Sequence, residues 1–359
     1  MTLAELERDA AEEQPILWLG MTGFSPQQRT DLEAFLLRRS GLSRWRLCAF
    51  GEADAWWVNG AKVRVLPDGN LKVAAGLPTE HALNLNLSDV DRPVAFAARM
   101  ASPEFEPRYA FDPGSGPSIE AVLLQFERWL WLLRAQFVLG AQIIRRGPQL
   151  RHGIYHVSAG GRLLAVLDFR RGKSAISSGV HPVDLWEARW DKRPIGAGDP
   201  PQGFIHQTPG QLAWAYVRRT DRDMLPNRYR DRLIYYRHAP RVPLGWLRDS
   251  QLMLLRELFI EPGTIESLRQ RTGLPASHVD HDLTCLYYAG ALTTTRSKAA
   301  DPTAGRHDSQ PLSVGPEIES LLGTGPHADF QNDLTAPVML EALHRPRPPG
   351  AADDAAGPR

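Results

Sequence analysis

The sequence is poor in cysteine and in lysine. Only Cys48 and Cys285 occur in 359 residues, which excludes a disulfide framework and predicts a reducing, cytoplasmic location. Lysine supplies five of the 42 basic residues and arginine the other 37, a bias that a GC-rich bacterial genome explains without any functional selection. The net charge of +1 excludes a globally basic nucleic-acid coat protein and a strongly acidic solvating chain.

Recognisable catalytic motifs are also missing. The sequence contains no nucleophile elbow, no phosphate-binding loop and no dinucleotide signature. His152 and His156 share one face of a predicted strand, with Asp168 in the next strand, and this trio is the alternative that would suit a metal or a general base. His281 and Cys285 stand four residues apart on a predicted helix, but two ligands do not make a zinc site. The sequence therefore predicts a protein that is not an enzyme and needs no metal or cofactor.

No apolar run is both long and uncharged enough to span a membrane. The longest apolar stretch predicts one helix over Ser118–Arg145, and Glu127, Arg128 and Arg134 lie inside it. A charge at the centre of a bilayer costs about 2.5–3.5 kcal/mol. This helix is therefore expected to pack between domains or against a partner, and no membrane span is predicted.

The patterns that are present divide the chain into several regions, and the predicted fold class is a multidomain α/β plus α+β protein. Dense Pro and Gly predict a linker before the long helix, and period-2 patterns predict an antiparallel meander of three strands, followed by short helices near Pro182–Trp190 and Pro209–Arg219. The predicted divisions are an N-terminal extension (1–14), an α/β domain (15–100), a linker (101–117), a central α+β domain (118–244), a helical domain (245–300) and a disordered tail (301–359). Phe330–Leu343 is the apolar segment of this tail, and a short docking motif there is the alternative to plain disorder.

The first domain starts with the order strand, helix, strand. Ile16–Leu19 is a short apolar run, Ser25-Pro26 is typical of a helix start, and Trp45–Phe50 is a second candidate strand. Pro67–Asn70 predicts a hairpin turn between two short strands. With Arg92-Pro93 near its end, this arrangement resembles a bacterial response-regulator receiver domain.

Receivers keep an acidic pair after the first strand to hold Mg²⁺, and this sequence lacks it. The corresponding segment, Gly20–Gly23, carries no carboxylate, and neither Asp54 nor Asp68 stands at the end of a third strand. Phosphoryl transfer without a metal-binding pair lacks its charge neutralisation. The resemblance therefore implies a degenerate receiver that is not phosphorylated and serves for docking.

Residues 248–298 carry the most specific pattern in the chain. Leucines at helical spacing predict a first helix, Thr264 caps a second, Thr272–Leu274 forms a tight turn, and Pro275 begins a third helix that ends at Gly290. This pattern resembles a bacterial winged helix-turn-helix domain. In that family the third helix enters the major groove of DNA, although winged helices also bind proteins.

The charges of this predicted domain are unusual for a DNA reader. Its third helix has no Lys or Arg, and residues 248–298 hold six basic and six acidic side chains, whereas DNA affinity comes mainly from phosphate neutralisation. Protein interaction is therefore favoured over DNA binding, with DNA kept as the alternative. The surface residues that would carry either role are Ser277, His278, His281, Arg296 and Lys298.

Positive charge is concentrated instead in residues 214–241. This segment has eight arginines and three aspartates, a net charge of +5, with interleaved aromatic residues. Arginine clusters bind phosphate and aromatic rings stack on bases, so a nucleotide or cyclic dinucleotide would suit this segment. The alternative is a structural network in which Arg, Tyr and Asp pack against each other. The candidate anion-binding residues are Arg218, Arg219, Arg222, Arg228, Tyr229, Arg230, Arg232 and Arg237.

Together these observations predict a non-catalytic bacterial signalling or regulatory adaptor. It would act through one or more protein partners, with a nucleotide-type anion as a further ligand. A winged-helix transcriptional regulator that binds DNA is the alternative function.

Overall fold

The computed structural model describes residues 13–97, 100–102, 105–147, 149–150 and 152–300. These residues form a mixed α/β structure with eight α-helices, one parallel sheet and three antiparallel sheets. Among them, no helix combines the length and the apolarity needed to cross a membrane. The predicted disordered tail at 301–359, and most of the predicted extension at 1–14, lie outside the described residues.

The N-terminal unit is built on a parallel sheet. Its strands are β1 (Ile16–Thr22), β2 (Arg44–Cys48), β3 (Ala55–Asn59), β4 (Val63–Val65), β5 (Leu71–Val73), β6 (Leu83–Leu85), β7 (Val94–Ala97) and β8 (Ala110–Phe111). The parallel sheet has the order β2-β1-β3-β7-β8, while β4, β5 and β6 form a separate antiparallel sheet. The predicted turn at Pro67–Asn70 is confirmed, since it joins β4 to β5 with Gly69 at φ +81°.

The predicted linker is only partly a linker, because β8 lies inside it. Ala110–Phe111 pairs in parallel with Phe96–Ala97, and the Phe96 N–H bonds the Tyr109 carbonyl oxygen at 2.9 Å. The prolines and glycines lie on either side of β8 and not within it, so they do not prevent this two-residue edge strand. The expectation that 101–117 holds neither helix nor strand is therefore wrong.

Helices cover one face of the parallel sheet. Helix α1 (Pro26–Arg38) starts with the predicted Ser25 cap, whose side chain accepts from the Gln28 N–H, and it buries Leu32 and Leu36. Helix α2 (Gly116–Trp129) adds Phe126 to the same core, beside Trp45 at a ring distance of 6.1 Å.

The single helix predicted over Ser118–Arg145 is wrong. The backbone turns at Leu130 (φ −89°, ψ 19°), which ends α2 and precedes α3 (Trp131–Arg146). Phe126 belongs to the core of the parallel sheet, whereas Phe137 belongs to the core of the rest of the protein. The run has neither Gly nor Pro at this point, so its apolar periodicity continues across the break and gives no sign of it. The change from one core to the other falls at Leu130 and not at the predicted boundary of 118.

The middle unit extends the predicted meander. It contains β9 (Ile154–Ala159), β10 (Arg162–Asp168), β11 (Lys173–Ser177), α4 (Pro182–Trp186), β12 (Arg189–Arg193), β13 (Phe204–Gln207) and α5 (Pro209–Val217). The three expected strands are joined by two more in an antiparallel sheet of order β12-β9-β10-β11-β13. The helix predicted near Pro182–Trp190 is too long, because its last residues begin β12.

The final part of the described chain contains three helices at the predicted positions. Its elements are β14 (Tyr235–Tyr236), α6 (Asp249–Ile260), α7 (Ile265–Thr272), α8 (Ala276–Tyr288) and β15 (Leu292–Thr293). Gly273, at φ +68°, ends α7 as the tight turn predicts. Strand β15 pairs with β14, which precedes the helices, and up to residue 300 it has no second wing strand. The three helices share one hydrophobic core with α3 and the middle sheet.

Candidate functional site

A cleft of about 720 Å³ lies between the N-terminal sheet and the three-helix unit. Strand β2 forms its floor, and Leu36 and Leu37 of α1 form one wall. The opposite wall comes from the first turns of α6 and α8, including Ser250 and Ser277. Its volume is in the range of ligand-binding pockets, so we take this cleft as the candidate site.

The floor of the cleft is an open sheet edge. β2 is one of the two edge strands of the parallel sheet, and its only strand partner in the described structure is β1. The Arg44 N–H bonds the Pro15 carbonyl oxygen at 2.9 Å, so in a parallel ladder the main-chain groups of residues 44, 46 and 48 face β1. The main-chain N–H and C=O groups of Trp45 and Leu47 alternate with these and point away from the sheet. Trp45 is only 2% exposed, whereas Leu47 is half-buried, so the accessible part of this edge lies at Leu47.

The polar wall is formed by the predicted surface of the third helix of the C-terminal unit. Ser277, His278 and His281 of α8 all line the cleft and therefore face β2. Burial, assisted by the nearby Arg248 charge, lowers the pKa of His281 below its ordinary value. The His281 Nε2 lies 3.7 Å from the Cys285 Sγ. The helix face that would enter a DNA groove is thus turned toward the N-terminal unit.

Arg248 and Trp18 close the inner end of the cleft. The Arg248 guanidinium carbon stands 4.4 Å from the centre of the Trp18 ring, and its Nε lies 3.4 Å from Glu52. This arrangement combines a cation–π contact with an ion pair at the junction of the two units. Sequence reasoning assigned no role to these residues, because the contacts join distant parts of the chain.

A buried ion pair next to the cleft joins the N-terminal unit to the segment after α5. The Arg219 Nη2 bonds the Asp54 Oδ1 at 2.7 Å, and the two side chains are 4% and 7% exposed. The neighbouring Arg218 donates to the carbonyl oxygens of Glu52 (3.1 Å) and Trp246 (3.4 Å). Burial lowers the pKa of Arg218 to about 10. Two of the predicted anion-binding residues are therefore held inside the protein.

The remaining predicted anion-binding residues divide into two groups. Arg222 pairs with Glu13 at 3.0 Å, Arg230 pairs with Asp223, and Arg228 lies over the rings of Tyr229 and Tyr287. Tyr229 itself is buried and donates to the Leu292 carbonyl oxygen at 3.2 Å. These contacts are of the kind expected for a structural Arg–Tyr–Asp network.

Arg232 and Arg237 form the second group. Both are exposed, and among the described residues neither forms a side-chain hydrogen bond or ion pair. Arg296 and Lys298 are likewise exposed, in a short 3₁₀ turn after β15. None of these four residues lines the cleft, so the structure separates them from Ser277, His278 and His281.

The rim of the cleft is an exposed charge cluster. Asp221 accepts from Arg44 at 2.6 Å and from Arg46 at 2.7 Å, which links the start of β2 to the segment after α5. Burial raises the pKa of the Asp221 carboxyl, and the two arginines lower it. The arginines have the larger combined effect, so this pKa lies below its ordinary value. The Asp221 carboxyl is therefore ionised at neutral pH.

The histidines considered for metal or base chemistry have other contacts. His156 Nε2 lies 2.8 Å from the Ala197 carbonyl oxygen, and Asp168 accepts from the N–H groups of Arg170 and Arg171. His152 lies before β9, in a turn with φ 56°. Across the described ranges, no group of three or more His, Cys, Asp or Glu side chains is placed to hold a metal ion.

Both cysteines are free thiols, and they differ in access. Cys48 lines the cleft and is partly exposed, whereas Cys285 is fully buried. Burial raises the pKa of each thiol to about 12. Cys48 is therefore a weakly reactive thiol at neutral pH, and it stands at the end of β2 where it can report on what enters the cleft.

The residues named for the receiver resemblance have structural contacts. Asp54 precedes β3 and pairs with Arg219, and Asp68 lies in the hairpin turn. Asn59, at the end of β3, donates to the Gly23 carbonyl oxygen at 2.9 Å. Arg92 lies over the Trp56 ring at 4.7 Å and donates to the Ala53 carbonyl oxygen.

Sequence reasoning missed the floor and one wall of the cleft. Leu37 is 72% exposed although it follows the buried Leu36, and an apolar residue just outside the buried stripe of α1 was the available signal. The open edge of β2 had no signal in the sequence, because strand order is a tertiary property.

Comparison with known proteins finds no family model, no curated protein and no solved structure that matches this chain.

Proposed function

We propose that the protein is a non-catalytic regulatory adaptor that binds an extended segment of a partner protein in the cleft. The observation that carries this proposal is the unpaired edge of β2, enclosed between two helical walls. Edge strands offer a row of main-chain donors and acceptors that another chain pairs with readily. Addition of a strand from a partner is an established mode of peptide recognition.

The two walls define the chemistry of the segment that fits. Side chains of a strand alternate between the two faces of a sheet. A strand added beside β2 would point one set of side chains at Leu36 and Leu37, and the other set at His278 and His281. We therefore infer a partner segment of alternating apolar and polar residues.

The charges of the cleft favour a peptide over a phosphate ligand. Four carboxylates line it and only two guanidinium groups do, and the arginines already face acidic partners. A nucleotide or cyclic dinucleotide would bring further negative charge to this site. The lining residues concerned are Glu33, Glu52, Asp221, Asp282, Arg46 and Arg248.

Leu47→Pro tests strand addition directly. Proline removes the N–H that points to the free side of β2 and leaves the bonds of residues 44, 46 and 48 to β1. A photoreactive residue in place of Ser277 of the full chain first captures the partner in cells, and calorimetry then gives Kd for the purified pair. We expect Leu47→Pro to weaken binding about tenfold or more, since a lost hydrogen bond and a steric block act together.

Leu47→Ala is the matched control, because it shortens the same side chain and keeps the main-chain N–H. We expect it to weaken binding less than Leu47→Pro does, and the partner should slow maleimide labelling of Cys48 in both the wild type and this control. Equal effects of Pro and Ala, or unchanged labelling of Cys48 in the complex, would count against strand addition.

DNA binding is the second candidate function, and the exposure of Arg296 and Lys298 is the observation in its favour. We nevertheless expect a flat titration with double-stranded DNA at about 50 mM salt, where phosphate contacts are strongest. The reason is that Ser277 and His278 face the cleft and therefore cannot contact a DNA groove. Saturable binding that weakens in the Arg296→Ala/Lys298→Ala variant would support the DNA role instead.

A further inference from the structure

Helix α6 has apolar residues on its outer face as well as on its inner face. Leu254, Leu255 and Leu258 are buried in the core, as a helix of this unit requires. Four large apolar side chains on the other side are 40–63% exposed: Leu252, Met253, Phe259 and Ile260. Their spacing of i, i+1, i+7 and i+8 places them in one stripe, here called the α6 outer face. A contiguous exposed apolar stripe marks an interaction surface.

The α6 outer face continues into a shallow groove against β14. Tyr235 and Tyr236 line this groove, and the Tyr236 and Phe259 rings meet edge to face at 5.5 Å. Ala299 and Ala300 also line it, and the Ala300 N–H bonds the Tyr236 carbonyl oxygen at 3.0 Å. The chain therefore leaves the described structure inside this groove, with 59 residues following Ala300.

Exposed basic side chains lie within a few residues, along the chain, of those that line the groove. Five of them form no side-chain hydrogen bond or ion pair in the part of the chain that the structure describes, and they include four predicted site residues that the cleft does not use. Two exposed acids stand nearby, Asp231 and Glu261, and the latter is 3.7 Å from Arg271. The five basic residues are Arg232, Arg237, Arg256, Arg296 and Lys298.

The segment that starts at this groove has the opposite charge. Residues 301–359 contain nine Asp or Glu and four Arg, a net charge of −5, and they include the apolar segment Phe330–Leu343. That segment begins thirty residues after Ala300, within reach at about 3.3–3.6 Å per extended residue. Apolar residues flanked by acids match an apolar stripe flanked by arginines.

From these matches we propose that the Phe330–Leu343 segment docks on the α6 outer face of its own chain. The apolar residues of the segment cover Phe259 and Ile260, and its acidic residues approach Arg237 and Arg256. The attachment at Ala300 makes the contact intramolecular, with an effective concentration on the order of 1 mM. This docking site is separate from the cleft and does not depend on the function proposed for it.

Hydrogen-exchange mass spectrometry on the full chain tests the docking. A contact of about 0.1 mM affinity at this effective concentration slows exchange of the docked segment roughly tenfold. We expect that protection over residues 330–343 in the wild type, unchanged when the protein is diluted. Phe259→Ser/Ile260→Ser should abolish it, and Arg237→Glu/Arg256→Glu should reduce it, with all four positions exposed enough to leave the fold intact.

The matched control is Lys62→Glu/Lys72→Glu, which makes the same charge change on exposed residues of the N-terminal unit. It should leave the protection of residues 330–343 unchanged. Absence of protection in the wild type, or protection that survives both groove variants, would overturn the proposal. Protection that disappears on dilution would also overturn it, because the occupant would then be a second copy of the chain.

Discussion

Replacing Asp54 by alanine is expected to lower the free energy of unfolding by about 3–5 kcal/mol. The Asp54 carboxylate is the ion-pair partner of Arg219, and both side chains are almost completely buried where the N-terminal unit meets the segment after α5. Removal of one partner leaves a buried charge without compensation, which costs far more than the pair contributes as a whole. The Asp54 Oδ2 also accepts from the Trp18 N–H at 3.0 Å, so the same change frees a main-chain donor. Urea denaturation followed by tryptophan fluorescence measures the loss.

Asp221→Ala is the control for this prediction. Asp221 also bonds arginines across the junction, at 2.6 and 2.7 Å, but its side chain is 42% exposed. Exposed ion pairs contribute about 0–1 kcal/mol, because water and salt screen them. Similar losses for the two variants would show that the burial of the Asp54–Arg219 pair does not matter, contrary to the prediction.

Gly140→Ala is expected to destabilise the protein by about 2 kcal/mol, although alanine is the better helix former. Gly140 lies where α3 crosses α5, and a Cβ atom there would stand 2.1 Å from the Leu212 carbonyl oxygen. The contact atom belongs to the backbone, so the helices must move apart. Overpacking of this kind costs about 1–3 kcal/mol and sometimes more, whereas the gain in helix propensity is about 1 kcal/mol or less. The midpoint of thermal unfolding reports the balance.

Gly210→Ala provides the opposite case in the same pair of helices. Gly210 lies in the first turn of α5, and the nearest atom to its added Cβ, the Thr208 Oγ1, would be 3.7 Å away. Without a clash, the substitution should be neutral or stabilise the fold by up to about 1 kcal/mol. A stability loss at Gly140 no larger than the change at Gly210 would contradict the close approach of α3 and α5.

Local patterns in the sequence were sufficient for many single elements. The Ser25 cap, the turn at Pro67–Asn70 and the glycine at position 273 all lie where their backbone preferences predict, because each depends on a few neighbouring residues. The three helices from 249 to 288 follow from the spacing of apolar residues and from the start and stop signals at Thr264, Pro275 and Gly290, for the same reason. The concentration of arginine in residues 214–241 is a property of composition alone.

The candidate site was not predictable in this way, because each of its parts depends on distant residues. The break at Leu130 exists because the two halves of one apolar run pack on different cores. Arg219 is buried rather than available to an anion because Asp54, 165 residues away in the chain, lies opposite it. A local sequence pattern contains no information about such pairs.

The orientation of α8 shows most clearly which properties the sequence determines and which the tertiary structure decides. Its residues and their helical spacing determined a polar face with Ser277, His278 and His281, and its lack of Lys and Arg argued against DNA. Only the tertiary structure decided that this face opposes the open edge of β2 across a cleft. Helix formation depends on contacts within a few residues, whereas the direction of a helix face depends on which other surfaces are buried against the rest of the chain.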